Sequence, residues 1–196
     1  MTDKAQSPKA RQVYCAVLEL AKQGADLRGM RVQQIADAAG MGKGTLYEYF
    51  ASKQEILEGT LLYGLQQELT RMEETLAAAA DFRALTEGVL DYIEDLIRCR
   101  FPVYELVMRV VDETSPCGAG AQAAFSAGLE RLLVQAYASA RAAGMAPDTP
   151  ADYFSFCMVS AQAGFAAALR RADAAQIPAL RRHTVELLRR GLGVPM

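Results

Sequence analysis

Residues 42 to 53, Gly-Lys-Gly-Thr-Leu-Tyr-Glu-Tyr-Phe-Ala-Ser-Lys, bring two ammonium groups, several hydroxyls and a bare stretch of backbone into one short segment. Such groups suit a polyanion. Lys43, Tyr47 and Tyr49 can bond phosphate oxygens, contacts that position a nucleic acid without reading its sequence. Lys53 can reach phosphate through its ammonium or its amide. Base edges have their own partners here, with Lys43 suited to guanine, the Thr45 methyl to thymine, and Gln33 and Gln34 to adenine. Gly44 permits close approach of another backbone. Glu48 would repel phosphate and is read as a solvated residue.

Two short elements must position these groups. Leu46 and Phe50, at i and i+4, turn one side of residues 43–50 inward and leave Lys43, Gly44, Tyr47 and Tyr49 outward or on the flanks. Upstream, Val32, Ile35, Ala36 and Ala39 form the inner face of a helix that stops at Gly40, and Gly40-Met41-Gly42 makes the turn between them. Two short helices around a glycine-containing turn form a helix-turn-helix, and the small Ala36 and Ala39 let them cross closely.

The run from Ile35 to Lys53, I-A-D-A-A-G-M-G-K-G-T-L-Y-E-Y-F-A-S-K, closely resembles the DNA-binding motif of the TetR (tetracycline repressor) family, and Glu55-Ile56-Leu57 continues it. The resemblance spans roughly residues 8 to 58, including a preceding helix with Val13, Ala16, Val17, Leu20 and Ala21 on its inner face. It implies an all-α chain, with a three-helix DNA-binding domain over 1–55 and a larger ligand-binding and dimerisation domain over 56–196. It also implies a cytoplasmic transcriptional regulator, usually a repressor, that binds a palindromic operator as a homodimer and leaves it when a small molecule binds. The family's DNA-contacting positions fall on Gly42, Lys43, Gly44, Thr45, Tyr47, Tyr49 and Lys53, to which Arg31, Gln33 and Gln34 are added from the helix before. Arg31 stands where a Ser or Thr often caps that helix, and the connection from Gly24 to Met30 is longer than usual.

The rest of the chain agrees with an all-α reading, since apolar residues recur at three and four and never alternate for long. The spacing predicts helices over 8–23, 32–39, 43–50, 52–79, 82–99, 102–113, 119–143, 150–173 and 177–190. Ser7, Ser52 with Glu55, Asp81 and Thr149 read as helix-start signals, and the seven prolines lie at element boundaries. With 52% hydrophobic residues the chain can bury a core, which excludes global disorder. The net charge of −2 hides an asymmetry, because residues 1–54 carry 8 basic against 5 acidic groups and the remainder 13 against 18. The acidic surplus therefore belongs to the second part and does not argue against a nucleic-acid partner. Cys15, Cys99, Cys117 and Cys157 are too scattered for a zinc site or a disulfide framework, and nothing marks Cys99 or Cys117 as a reactive thiol. The N-terminus lacks the apolar core of a signal peptide. The uncharged stretch 153–169 is short for a membrane span and reads as a helix buried by protein.

Candidates to line an effector pocket are Leu69, Met72, Tyr92, Leu96, Tyr104, Met108, Phe125, Phe154, Met158 and Gln162, a mixture of flexible, aromatic and sparse polar groups. Arg100 and Arg109 are the cations available to an acidic ligand group. Ser160, Gly164 and Ala168 form a small-residue row, repeated by Ala136 and Ala140 on the helix before; both rows are expected at a four-helix dimer interface. The single histidine, His183, has no nucleophile near it in sequence, and no carboxylate set is spaced for catalysis, so the chain reads as a non-enzyme needing neither metal nor cofactor. The alternative is an apolar small-molecule carrier whose helix-turn-helix is only scaffold.

Overall fold

The computed structural model describes residues 7–108, 116–142, 144 and 148–194, without the side chains of 106, 108 and 116–122. All regular structure among the described residues is helical. The helices are α1 (Pro8–Lys22), α2 (Val32–Ala38), α3 (Lys43–Tyr49), α4 (Lys53–Ala78), α5 (Phe82–Asp95), α6 (Phe101–Met108), α7 (Pro116–Ala142), α8 (Ala151–Leu169) and α9 (Ile177–Leu192). Starts follow local chemistry. Ser7 accepts the Ala10 N–H at 3.2 Å and Asp81 accepts that of Ala84 at 2.7 Å, as expected of N-caps. Ser52 accepts the Glu55 N–H at 3.1 Å, while the Glu55 carboxylate reaches back to the Ala51 N–H rather than to Ser52. Thr149 does not cap α8: Pro150 occupies the cap position, and the Thr149 carbonyl instead accepts the Tyr137 hydroxyl at 2.8 Å.

One expected helix divides. The 82–99 element is α-helical to Asp95 and continues as a π turn over Leu96–Arg100 into α6. Pro102 has no N–H for the carbonyl four residues back, and the wider turn falls in that stretch.

The chain separates into two compact units, one of Met1–Glu68 with Arg100–Phe125 and the other of Leu69–Cys99 with Ser126–Met196. In the first, Val13, Tyr14 and Val17 of α1 share a core with Ile35, Ala36, Leu46, Phe50, Ile56 and Leu57, and Val107 of α6 joins them. Tyr14 meets the Phe50 ring edge-on at 5.6 Å and lies against Gly59 of α4, where a Cβ would stand 2.6 Å from its hydroxyl oxygen. Deeper along α4, Glu68 is only 2% exposed and takes the Arg100 Nε at 3.0 Å and the Tyr104 hydroxyl at 2.7 Å. The Tyr104 ring occupies the space that a side chain at Gly64 would need. In the second unit, Leu85, Val89 and Leu90 of α5, Leu132, Ala136 and Ala140 of α7, Phe154, Met158 and Phe165 of α8, and Leu188 and Leu192 of α9 form one core.

A branched side chain at position 59 must push Tyr14 out of that core. Gly59→Val is expected to cost about 1–3 kcal/mol, the range for overpacking, read as a lower urea midpoint at unchanged slope.

Candidate nucleic-acid interface

The helix-turn-helix is fixed from inside. Leu46 and Phe50 are fully buried, as are Ile35 and Ala36 of α2. α2 ends with Gly40 at φ +64°, and the following hydrogen bonds, Gly40 N–H to the Asp37 carbonyl and Met41 N–H to that of Ala36, turn the chain into α3. Gln12 of α1 braces the turn by donating its side-chain amide to the Ala39 carbonyl at 2.6 Å. Nothing in the sequence pattern marks Gln12, because only the packed turn brings it to that carbonyl.

Outward, Lys43 and Gly44 are exposed, Tyr47 is 46% exposed, and Thr45 and Tyr49 are partly covered. The Lys43 ammonium lies 5.9 Å from the centroid of the Tyr47 ring, and Lys9, at the start of α1, stands at the same distance from the Tyr49 ring. Lys9 thus joins the same face from a distant stretch of sequence. At Gly44 no atom outside its chain neighbours and its own helix backbone lies within 4 Å of the place a Cβ would take, and it lies within α3. Neither packing nor conformation within the chain calls for glycine at this position.

Other expected contacts have partners within the chain. The Gln33 side-chain amide donates to Asp37 at 2.7 Å, and the Gln34 side-chain oxygen accepts the Arg31 N–H at 2.8 Å. Gln34 thereby supplies the reach-back that closes the start of α2, where Arg31 provides no side-chain cap. The Lys53 ammonium donates to the Arg28 carbonyl at 2.6 Å. Burial lowers its pKa, and the Asp26 carboxylate partly offsets that.

These residues lie in a recognised sequence family. Residues 17–60 match the model of the bacterial regulatory proteins of the tetR family. The chain carries a tetR-family regulatory domain. No curated protein matches it. Among solved structures the whole chain is similar in fold to several proteins of low identity. The superantigen PfiT is 20% identical with a TM-score of 0.65, covering 99% of this chain and 100% of its own. The transcriptional regulator FadR from Bacillus subtilis, in complex with stearoyl-CoA, is 17% identical with a TM-score of 0.64, covering 93% and 98%. Reduced NemR from E. coli is 15% identical with a TM-score of 0.67, covering 96% and 100%. At such identities the likeness extends to the fold, and the tetR-family match adds the helix-turn-helix character of the N-terminal part.

The expected pocket residues are divided between the two units. Leu69, Met72, Tyr92, Phe154 and Met158 belong to the core of the second unit, where Leu96 and Gln162 are half-buried. Tyr104 and Phe125 belong to the first unit, Tyr104 being bonded to Glu68. The side chain of Met108, Arg109 and the side chain of Cys117 lie outside the described residues. Arg100, expected as a cation for a ligand, is paired with Glu68. A cleft of about 920 Å³ opens elsewhere in the second unit, with Phe82, Val185 and Val194 beside Arg83, Arg181 and Arg189, and none of the ten expected residues lines it.

The two small-residue rows part company. Ala136 and Ala140, expected at an interface between chains, are instead buried in the core of the second unit. Ser160 and Gly164 are exposed and Ala168 is partly so. α8 also exposes Tyr153, Phe156 and Val159, and α9 exposes Leu187. No helix among the described residues is long and apolar enough to cross a membrane.

Gln12→Ala leaves the Ala39 carbonyl without its side-chain donor. Stability is expected to fall by about 1 kcal/mol, the net value of one such bond, measured by urea titration against the parent chain.

Proposed function

We propose that this tetR-family chain is a ligand-responsive transcriptional regulator, a cytoplasmic repressor that binds a palindromic duplex as a homodimer. The observation that carries the reading is Gly44, a helical glycine that nothing inside the chain requires, set between exposed Lys43 and Tyr47. Glycine in a helix costs about 1 kcal/mol relative to alanine. An approaching phosphate backbone gives the bare position a purpose, with Lys43 neutralising charge and the Tyr47 and Tyr49 hydroxyls donating to phosphate oxygens. Thr45 and the outer edges of Gln33 and Gln34 are the groups for base edges, and Gly42 leaves room at the start of α3. The DNA-binding domain of this reading is 1–55, and 56–196 serve ligand binding and dimerisation.

The dimer is supported by α8, whose Tyr153, Phe156, Val159, Ser160 and Gly164 are exposed and uncharged, and by exposed Leu187 on α9, the helix packed against it. Large exposed apolar side chains grouped in this way mark an interaction surface. The effector of this reading is small and apolar or aromatic and enters the second core among Leu69, Met72, Tyr92, Phe154 and Met158, and the stearoyl-CoA held by FadR supports an effector with an apolar part. α4 contributes residues to both units and is one of the covalent routes by which effector binding alters the spacing of the two recognition helices.

Binding to a labelled duplex from upstream of its own gene tests this reading. Lys43→Ala is expected to weaken affinity and reduce the salt slope by about 1. Gly44→Ala should weaken affinity while raising stability by up to about 1 kcal/mol, an opposition that ordinary damage to the fold does not produce. Unchanged affinity in both variants would favour an apolar carrier whose helix-turn-helix is scaffold. Phe156 is 69% exposed. Phe156→Glu should convert dimer to folded monomer in sedimentation experiments, and a persistent dimer would place the interface elsewhere.

A further inference from the structure

The connection between α1 and α2 is built as a tight, anchored turn. After α1 the Ala25 N–H returns to the Leu20 carbonyl, and Leu27 is buried in the core of the first unit. The Asp26 carboxylate accepts the Arg28 N–H at 3.1 Å, and the Asp26 carbonyl accepts the Met30 N–H at 3.0 Å. From the other side, Lys53 at the start of α4 holds the Arg28 carbonyl. The backbone of Arg28 is thus fixed at both its N–H and its C=O, while its side chain is exposed.

This geometry brings Arg28 within one lysine side chain of the junction that follows α3, and three residues ahead of exposed Arg31. The motif alone gives Lys53 to phosphate through its ammonium. In the structure that ammonium is partly covered and directed to a carbonyl of its own chain. The exposed guanidinium of Arg28, the residue whose carbonyl that ammonium holds, presents a planar fork of donors, the better match for phosphate.

We propose that Arg28 is a phosphate contact of the DNA interface, and that the Lys53 side chain is a positioning residue that acts through it. The inference rests on the DNA-binding reading above. A side chain on a backbone held at both ends meets phosphate with less ordering entropy than one on a loose loop. The longer connection thereby supplies the cation that the motif assigns to Lys53.

The test uses the full chain and the labelled upstream duplex, with Lys43→Ala alongside as a control for the reading itself. Arg28→Ala is expected to weaken binding about five- to tenfold and lower the salt slope by about 1, and Arg28→Lys to restore the slope. Lys53→Met should give a loss of the same size, and the double variant no more than either single one. A full effect of Lys43→Ala with none from Arg28→Ala overturns the inference and leaves the DNA reading standing. Losses from Arg28→Ala and Lys53→Met that add in full overturn the positioning role, since Lys53 then reaches DNA independently. No effect from any of the variants, Lys43→Ala included, overturns the DNA reading and this inference with it.

Discussion

The first unit depends on an aromatic ring laid against bare helix backbone. Tyr14 of α1 fills the space above Gly59 of α4, meets Phe50 edge-on and lies 5.7 Å from the Tyr63 ring. Since Phe50 closes α3, this one side chain ties the first helix, the recognition helix and the long helix into a single arrangement. The outward face of α3 follows from it. With Leu46 and Phe50 committed to the core, Lys43, Gly44 and Tyr47 remain exposed around them.

Much of this was legible in the residues. Gly40 marks the turn, Leu46 and Phe50 mark the inner face, and Ser7 and Asp81 cap the helices expected to follow them. What escaped was decided by partners distant in sequence. Gln12 and Lys9 of α1 reach the turn and the recognition helix only in the folded chain. The ammonium of Lys53 finds a carbonyl 25 residues earlier. A row of alanines tells that something packs closely without telling what, and Ala136 and Ala140 meet their own chain where an interface between chains was expected. The π turn after Asp95 likewise lay hidden, because apolar spacing alone does not separate an α turn from a wider one.

The division of charge between the two parts of the sequence has its counterpart in their surfaces. Lysines are confined to the first 53 residues, and Lys9 and Lys43 stand over tyrosine rings on the recognition helix. α8 in contrast carries a single charged residue, Asp152, over 19 residues and exposes apolar rings. One fold thus presents a cationic face in one unit and an uncharged face in the other. That the same fold occurs in a superantigen shows how little the backbone alone says about partners, and how far the reading rests on these faces.

The buried Glu68 acts as a key for helix register. A carboxylate 2% exposed on α4 is tolerated because Arg100 and Tyr104 meet it in one alignment. Sliding α6 by a turn along α4 would strand that charge, a loss of about 3–5 kcal/mol, even though the pair itself adds little stability against an apolar replacement. The pairing therefore excludes near-miss alignments more than it strengthens the right one. Loss of the Arg100 guanidinium would take from the buried Glu68 carboxylate a charged partner supplied from beyond α4.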